Sequence, residues 1–402
     1  MRMPTVIIAA VSALALTAPL PAKTIGVAAG DGAQSRLQEA LIAAQPGDVV
    51  ELGAGRFVLT DGLSLDANGV TLRGAGMDAS VLDFSGQKGA GEGLLVTSNE
   101  VTLRDFAVEN TRGDGIKSKG ADNIVYYRVR VAWTGGPKET NGAYGIYPVG
   151  STGVLVDGCK VSGASDAGIY VGQSKAITVR YNMVEQSVAG IEIENSRDAL
   201  VTGNLVTRNT GGILVFDLPN LPVMGGGNTL IVDNLVIAND TPNFAPKGNI
   251  VASVRRGTGV MVMANDLVTV RGNTLADNPT AHVLIVSYPR EFKDKTYNPV
   301  PRHVLIDSNL VRGGGNEPQI PSAQQLLAAF GGALPAVVWD GQGGPPTVLG
   351  QDSHILSLGQ PSSTVGMAEK KPTLVNAAAG KVPMLAANPS GAPAALDARA
   401  RP

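Results

Sequence analysis

Apolar and polar residues alternate in short runs along this chain, and the runs recur. Where no insertion intervenes, the spacing is mostly 22 to 23 residues. One inward column reads Phe106, Val129, Cys159, Asn182, Asn204, Asn234, Asn273 and Asn309. Two residues after each stands an apolar one, from Val108 and Val131 through Val184 and Val206 to Leu275 and Val311. Apolar residues also lie three and five positions before most of them, as Ile177 and Val179 do before Asn182. Period two inside a longer repeat predicts stacked coils of short strands, an all-β parallel solenoid.

The five asparagines in register predict a ladder, each satisfying turn backbone of neighbouring coils. Cys159 shares their column and reads as a small buried apolar residue. A copper-thiolate role would need His or Met partners that the sequence does not place beside it.

A second column, Ile116, Ile146, Ile169, Ile191, Ile213, Val260 and Val283, marks another strand, preceded by glycine in all but the last case. Insertions fall on both sides of this strand: WTGGPKETNGAYG and TPNFAPKGNIVASVRRG before it, DLPNLPVMGGG and PREFKDKTYNPVPR after it. Loops on both sides of a sheet predict a walled groove. Its outward residues begin Lys117, Tyr147, Tyr170, Glu192 and continue Leu214, Met261, Leu284; a parallel row holds Lys119, Val149, Gly172, Glu194, Phe216, Met263 and Val286. The early coils therefore present Lys, Tyr and Glu, and the late coils Leu, Phe and Met.

The ends read differently. Arg2 and the apolar stretch Thr5 to Leu16 predict a secretory signal cut after Ala22, hence a periplasmic or secreted protein with no membrane span. Gln34 to Ala43 predicts a short helix with Leu37, Ala40 and Leu41 on one face, covering the open end of the solenoid. Ser322 to Phe330 predicts a second helix, and AVVWDG a further strand or plug. The expected organisation is a signal over 1–22, a cap with the first coils over 23–98, repeats over 99–315, a C-terminal cap segment over 316–340 and a disordered tail over 341–402, where Ala, Pro, Gly and Ser accumulate.

Composition narrows the chemistry. The 51 glycines, 4% aromatics and 16% charged residues suit a turn-rich solenoid, and a net charge of −2 speaks against nucleic acid. One cysteine excludes an intramolecular disulfide, and three histidines without ligand spacing disfavour zinc chemistry. In the polar half of the groove, Tyr147 and Tyr170 are the proton-transfer candidates. Asp166, Glu192 and Glu194 are expected as bases, or as oxygen ligands of Ca²⁺. Lys117 is expected to meet an acidic substrate's carboxylate, with Lys119, Asn141, Tyr144, Gln173, Asn195 and Asp217 as further substrate contacts. The alternative use of such residues is an ordinary solvated strand, with tyrosines stacked for stability. The apolar half requires a cover, supplied by the TPNFAPKGNIVASVRRG insertion, by the segment around Trp339, or by another exported protein docked on it.

The strings NGAYGIYPV, GASDAGIYVGQS, AGIEIENS, NTGGILVFDLPNLPV and GTGVMVMAND, with PGDVVEL before them, resemble exported bacterial repeat proteins of the right-handed parallel β-helix, pectate-lyase-like superfamily. The resemblance covers about residues 24 to 340. It implies a right-handed coil and an activity on an acidic polysaccharide or oligosaccharide, as lyase or epimerase. The Asp-Pro-His-Asp signature of alginate epimerases is absent. A non-catalytic periplasmic scaffold is the alternative, and copper-site maturation a more distant one.

Overall fold

The computed structural model describes residues 21–89, 91–349, 354–359, 372–376 and 389–401; the signal segment and part of the tail lie outside them. Three sheets of 12, 12 and 10 strands wind into one prism. Nearly every strand pairs in parallel with the strand three elements later, one full coil on. A single column shows how strictly register is kept: Leu103, Tyr126, Val156, Val179, Val201, Ile231, Val270, Ile306 and Val348 follow one another across successive strands. Slipping any strand by one residue would turn this buried column out to water.

The asparagine ladder forms as expected. Asn182, Asn204, Asn234 and Asn273 each donate Nδ2 to the Oδ1 of the next asparagine at 2.9 Å, ending on Asn309. Each Oδ1 also accepts the backbone N–H one coil back, beginning with Cys159 N at 2.8 Å. The Cys159 thiol is buried, and burial pushes its pKa up to about 12, so it is inert packing. A second ladder, Asn209, Asn239 and Asn278, runs along the next corner with Nδ2 to Oδ1 contacts of 3.0 and 3.1 Å. The five-residue spacing Asn204/Asn209, Asn234/Asn239, Asn273/Asn278 was its sequence signal.

The glycine before the second column has a steric cause. A Cβ on Gly190 would lie 2.4 Å from Val206 Cγ1 and 2.7 Å from the carbonyl oxygen of Gly212, both in the next coil. Gly145, Gly168 and Gly212 meet the same obstacle. Close coil-to-coil approach here requires a residue with no side chain.

Helix α1 (Ala33–Ala43) buries Leu37, Ala40 and Leu41 on the first coils and caps that end. Helix α2 (Ala323–Ala329) sits near the other end, where Val337–Trp339 adds a strand. The tail departs from the expected disorder. Thr347–Leu349 and His354–Ser357 extend two sheets in parallel, and Thr373–Asn376 closes the last edge antiparallel. Helix α3 (Ala395–Ala400) then returns to the early coils, burying Leu396 and Ala400 on Val125 and Leu155. Arg401 pairs with Asp157 at 2.8 Å, Arg180 bridges Asp157 and Asp397, and Ala392 N donates to Thr178 Oγ1 at 2.8 Å. Average composition hid the reason: Leu396 and Ala400, four apart on one helix face, match an outward apolar patch on the sheet.

Candidate functional site

The second-column strands Ile116–Lys119, Tyr144–Val149, Ala167–Gly172, Ala189–Glu194, Gly211–Phe216, Thr258–Met263 and Ala281–Val286 are adjacent in one sheet. Register places Tyr170 beside Glu192, Glu192 beside Leu214, and Glu194 between Gly172 and Phe216. The two glutamates thus stand at the seam between polar and apolar halves.

The polar half is packed rather than open. The rings of Tyr144, Tyr147 and Tyr170 close on one another, with centroids 4.5, 4.7 and 4.8 Å apart. Lys117 Nζ lies 4.8 Å from the Tyr147 ring centroid and pairs with Glu92 at 3.0 Å and Asp114 at 3.5 Å. Its charge is therefore matched by carboxylates of this chain. Tyr144 enters the cluster from the end of an insertion, three residues before Tyr147, so strand alternation alone did not reveal the three-ring contact.

Beneath the rings lie three carboxyl groups. Asp166, Glu192 and Glu194 are all buried, and both Asp166 Oδ1 and Glu192 Oε1 lack a hydrogen-bond partner. Desolvation is the largest cause of their raised pKa values. It pushes Glu194 up to about 7 against the help of the Tyr170 hydroxyl, and Asp166 up to about 7 with the Glu194 charge adding to it and the Tyr144 hydroxyl opposing it. Glu192 is raised well above the usual carboxylate range by burial and by the charges of Asp166 and Glu194. At neutral pH the cluster therefore holds exchangeable protons. Tyr144 and Tyr170 are raised far out of the titrating range by burial, and Tyr147 is raised for the same reason. Their hydroxyls therefore stay protonated and act as donors.

Tyr170 owes its pose to Gly172. A Cβ on Gly172 would fall 2.3 Å from the Tyr170 hydroxyl oxygen and 2.4 Å from Cε1, because the ring lies flat along its own strand over the glycine. Gly172→Ala is expected to lift the ring and leave the Glu194 anion without its phenol. A further rise in the Glu194 pKa, read by carboxyl-carbon NMR titration, is the check; an unchanged titration would refute this seating role.

Other expected contacts have different work. Asn141 donates Nδ2 to the carbonyls of Gly136 and Gly163 at 2.9 and 2.6 Å. Asn195 donates to the carbonyls of Leu218 and Val223 and accepts Leu218 N at 2.8 Å. Asp217 accepts Gly226 N and Asn265 Nδ2, both at 2.8 Å. All three pin insertions. Gln173 occupies a left-handed corner at φ 51° after its strand, and Lys119 is exposed at the sheet's rim. His282 lies in a corner, its Nε2 2.7 Å from the Gly313 carbonyl oxygen, and burial lowers its pKa. Among the described residues, no group of three His, Cys, Asp or Glu is arranged to hold a metal ion.

Open space begins at Glu192 and runs over the late coils. A cavity of about 330 Å³ is floored by Leu214, Phe216, Met261, Met263 and Leu284. One wall is the insertion through the turn Ile250–Ser253, braced by Asn243 Nδ2 on the carbonyls of Val251 and Val254 at 2.9 Å. The other is the insertion carrying Tyr288, Phe292 and Tyr297, packed edge to face and anchored by the Tyr297 hydroxyl on the Asp217 carbonyl at 2.7 Å. The chain's own insertions thus wall the apolar half and leave a cavity over its floor. The segment around Trp339 also contributes: Asp340 and Gln342 line the cavity, while Trp339 itself packs into the solenoid core with Nε1 on the Gln342 carbonyl at 3.0 Å.

Residues 68–223 match the family described as the right handed beta helix region. The fold is a right-handed parallel β-helix of the pectin-lyase-like kind. No curated protein matches the chain. Among solved structures, the A-module of the mannuronan C-5 epimerase AlgE4 of Azotobacter vinelandii shares 15% identity at a TM-score of 0.53, over 87% of this chain and 99% of that one. The A-module of AlgE6 from the same organism gives 17% and 0.52, over 80% and 90%. A polygalacturonase of Erwinia carotovora gives 13% and 0.54, over 74% and 93%. At these identities the likeness is one of fold. This β-helix carries its buried carboxyl groups on the outer face of the sheet whose flanking loops are longest.

Proposed function

We propose that this protein is exported and modifies an acidic polysaccharide by proton transfer at Asp166, Glu192 and Glu194. The observation that carries the reading is the carboxyl trio, buried, raised in proton affinity and holding two partnerless oxygens, one of them on a cavity. Two structural neighbours, by their names, act on mannuronan and polygalacturonate, which supports a uronate polymer as the substrate class.

In this reading an ionised carboxylate, Glu194 or Asp166, removes the proton from C5 of a uronate residue. Glu192, protonated at neutral pH, then has two uses. It gives its proton to the departing O4 as the C4–O4 bond breaks, leaving a C4–C5 double bond, or it returns a proton to C5 from the other side. The first is a lyase and the second an epimerase. The Tyr170 and Tyr144 hydroxyls stabilise whichever carboxylate is charged.

A panel of uronate polysaccharides, followed by ultraviolet absorbance for unsaturated ends and by proton NMR for epimerisation, tests it. Turnover of at least one member is expected, weakened by about tenfold or more in Tyr170→Phe. No product and no binding across the panel would end the proposal.

A further inference from the structure

The cavity beyond Glu192 is poorly suited to sugar hydroxyls. Its floor spans three rungs, Leu214, Met261 and Leu284, with Phe216, Met263 and Val286 alongside. At about 4.8 Å per rung, the floor is roughly 10 Å long. Sugar hydroxyls laid on these side chains would lose water without gaining partners. A volume of about 330 Å³ lies at the small end of ligand pockets.

Three atoms of the lining, Glu192 Oε1 at the seam, Arg255 Nη1 in a wall and Ser287 Oγ, are buried without a hydrogen-bond partner, and of these only Arg255 carries a positive charge. Arg255 comes from the insertion that walls the cavity, and burial depresses its pKa with only Asp340 as countercharge. Asp340 itself is engaged by backbone donors, Ser287 N at 2.6 Å and Gln342 N at 2.9 Å. A desolvated guanidinium with an idle donor is costly, and an anion against it would relieve that cost.

We propose that this cavity binds a small amphipathic carboxylate, its apolar body lying on the Leu214, Met261 and Leu284 floor and its carboxylate on Arg255 Nη1. The proposal shares with the polysaccharide reading the cavity that Glu192 borders, but it uses the late coils and Arg255 and asks nothing of Asp166 or Glu194. It assigns a ligand site to a region that the sequence marked only as needing a cover.

Octanoate is the probe, titrated calorimetrically into the full chain, with octanol lacking the charge and acetate lacking the body. One saturable octanoate site is expected, with a negative heat-capacity change from apolar burial. Arg255→Met should weaken octanoate by about tenfold or more, the loss of one charge-assisted contact, and leave octanol little changed. Arg255→Lys should restore part of the affinity, which separates loss of charge from loss of fold. Absence of saturable octanoate binding, equal affinity in Arg255→Met, or octanol binding as tightly as octanoate would each overturn the proposal. Uronate turnover without octanoate binding would overturn this site alone, and octanoate binding without turnover would overturn the other reading alone.

Discussion

Glu192→Gln is expected to abolish turnover on any uronate substrate and, at the same time, to make the protein more stable as pH rises. The amide copies the size and neutrality of the protonated acid but has no proton to give. The stability effect follows from the direction of the Glu192 pKa, which burial and the neighbouring Asp166 and Glu194 charges raise well above its unfolded value. Between an unfolded pKa of about 4.3 and the raised folded value, the native state holds a proton that the unfolded chain has released. Native stability from this group is fully present below the lower value and is lost as pH climbs through the window, by about 1.4 kcal/mol per pH unit. Glutamine carries no such dependence. The difference in unfolding free energy between variant and wild type should therefore be small near the unfolded pKa and grow as pH rises above it. Denaturant melts at several pH values measure it. Parallel curves would mean that Glu192 titrates normally in the folded protein, and the acid role proposed for it would fall with that result.

Asn234→Ala is expected to cost about 3–5 kcal/mol, a large fraction of a single domain's stability. Asn234 Oδ1 accepts both the backbone N–H and Nδ2 of Asn204, at 3.0 and 2.9 Å, and its own Nδ2 reaches the Val201 carbonyl and Asn273 Oδ1 at 2.9 Å. Alanine leaves these groups buried without partners and a void between coils. Asn309 ends the ladder, only half buried, and passes its Nδ2 to the Val270 carbonyl at 2.9 Å. Asn309→Ala should therefore cost clearly less. Chemical unfolding of both variants gives the comparison; a loss of under about 1 kcal/mol for Asn234→Ala would show that water fills the gap and that the ladder matters little.

The coils were legible because burial imposes period two on every strand and the corner imposes an asparagine once per turn. The seam at Glu192 and Glu194 was legible for the same reason: alternation fixes which residues face out. The site failed to be legible where insertions begin. Asn141, Asn195 and Asp217 looked like ligand contacts, yet a side chain that satisfies irregular backbone has the same identity as one held out to a substrate. Arg255 gave no signal, because an insertion has no repeat against which a buried cation would stand out. Lys117 shows the same limit: its partner Asp114 stands three residues before it, but Glu92 comes from the coil before, and only the assembled sheet reveals that register.

The return of helix α3 to the early coils sets an order of events in folding. The contact between Asp157 and Arg401 spans 244 residues. Closing so long a loop in an unfolded chain costs about 5 kcal/mol in entropy, about as much as the two ion pairs and the burial of Leu396 and Ala400 together supply. Once the intervening coils are stacked, that cost has already been met, and the helix docks onto a surface whose two halves are fixed. Helix α3 thus settles only on a finished solenoid.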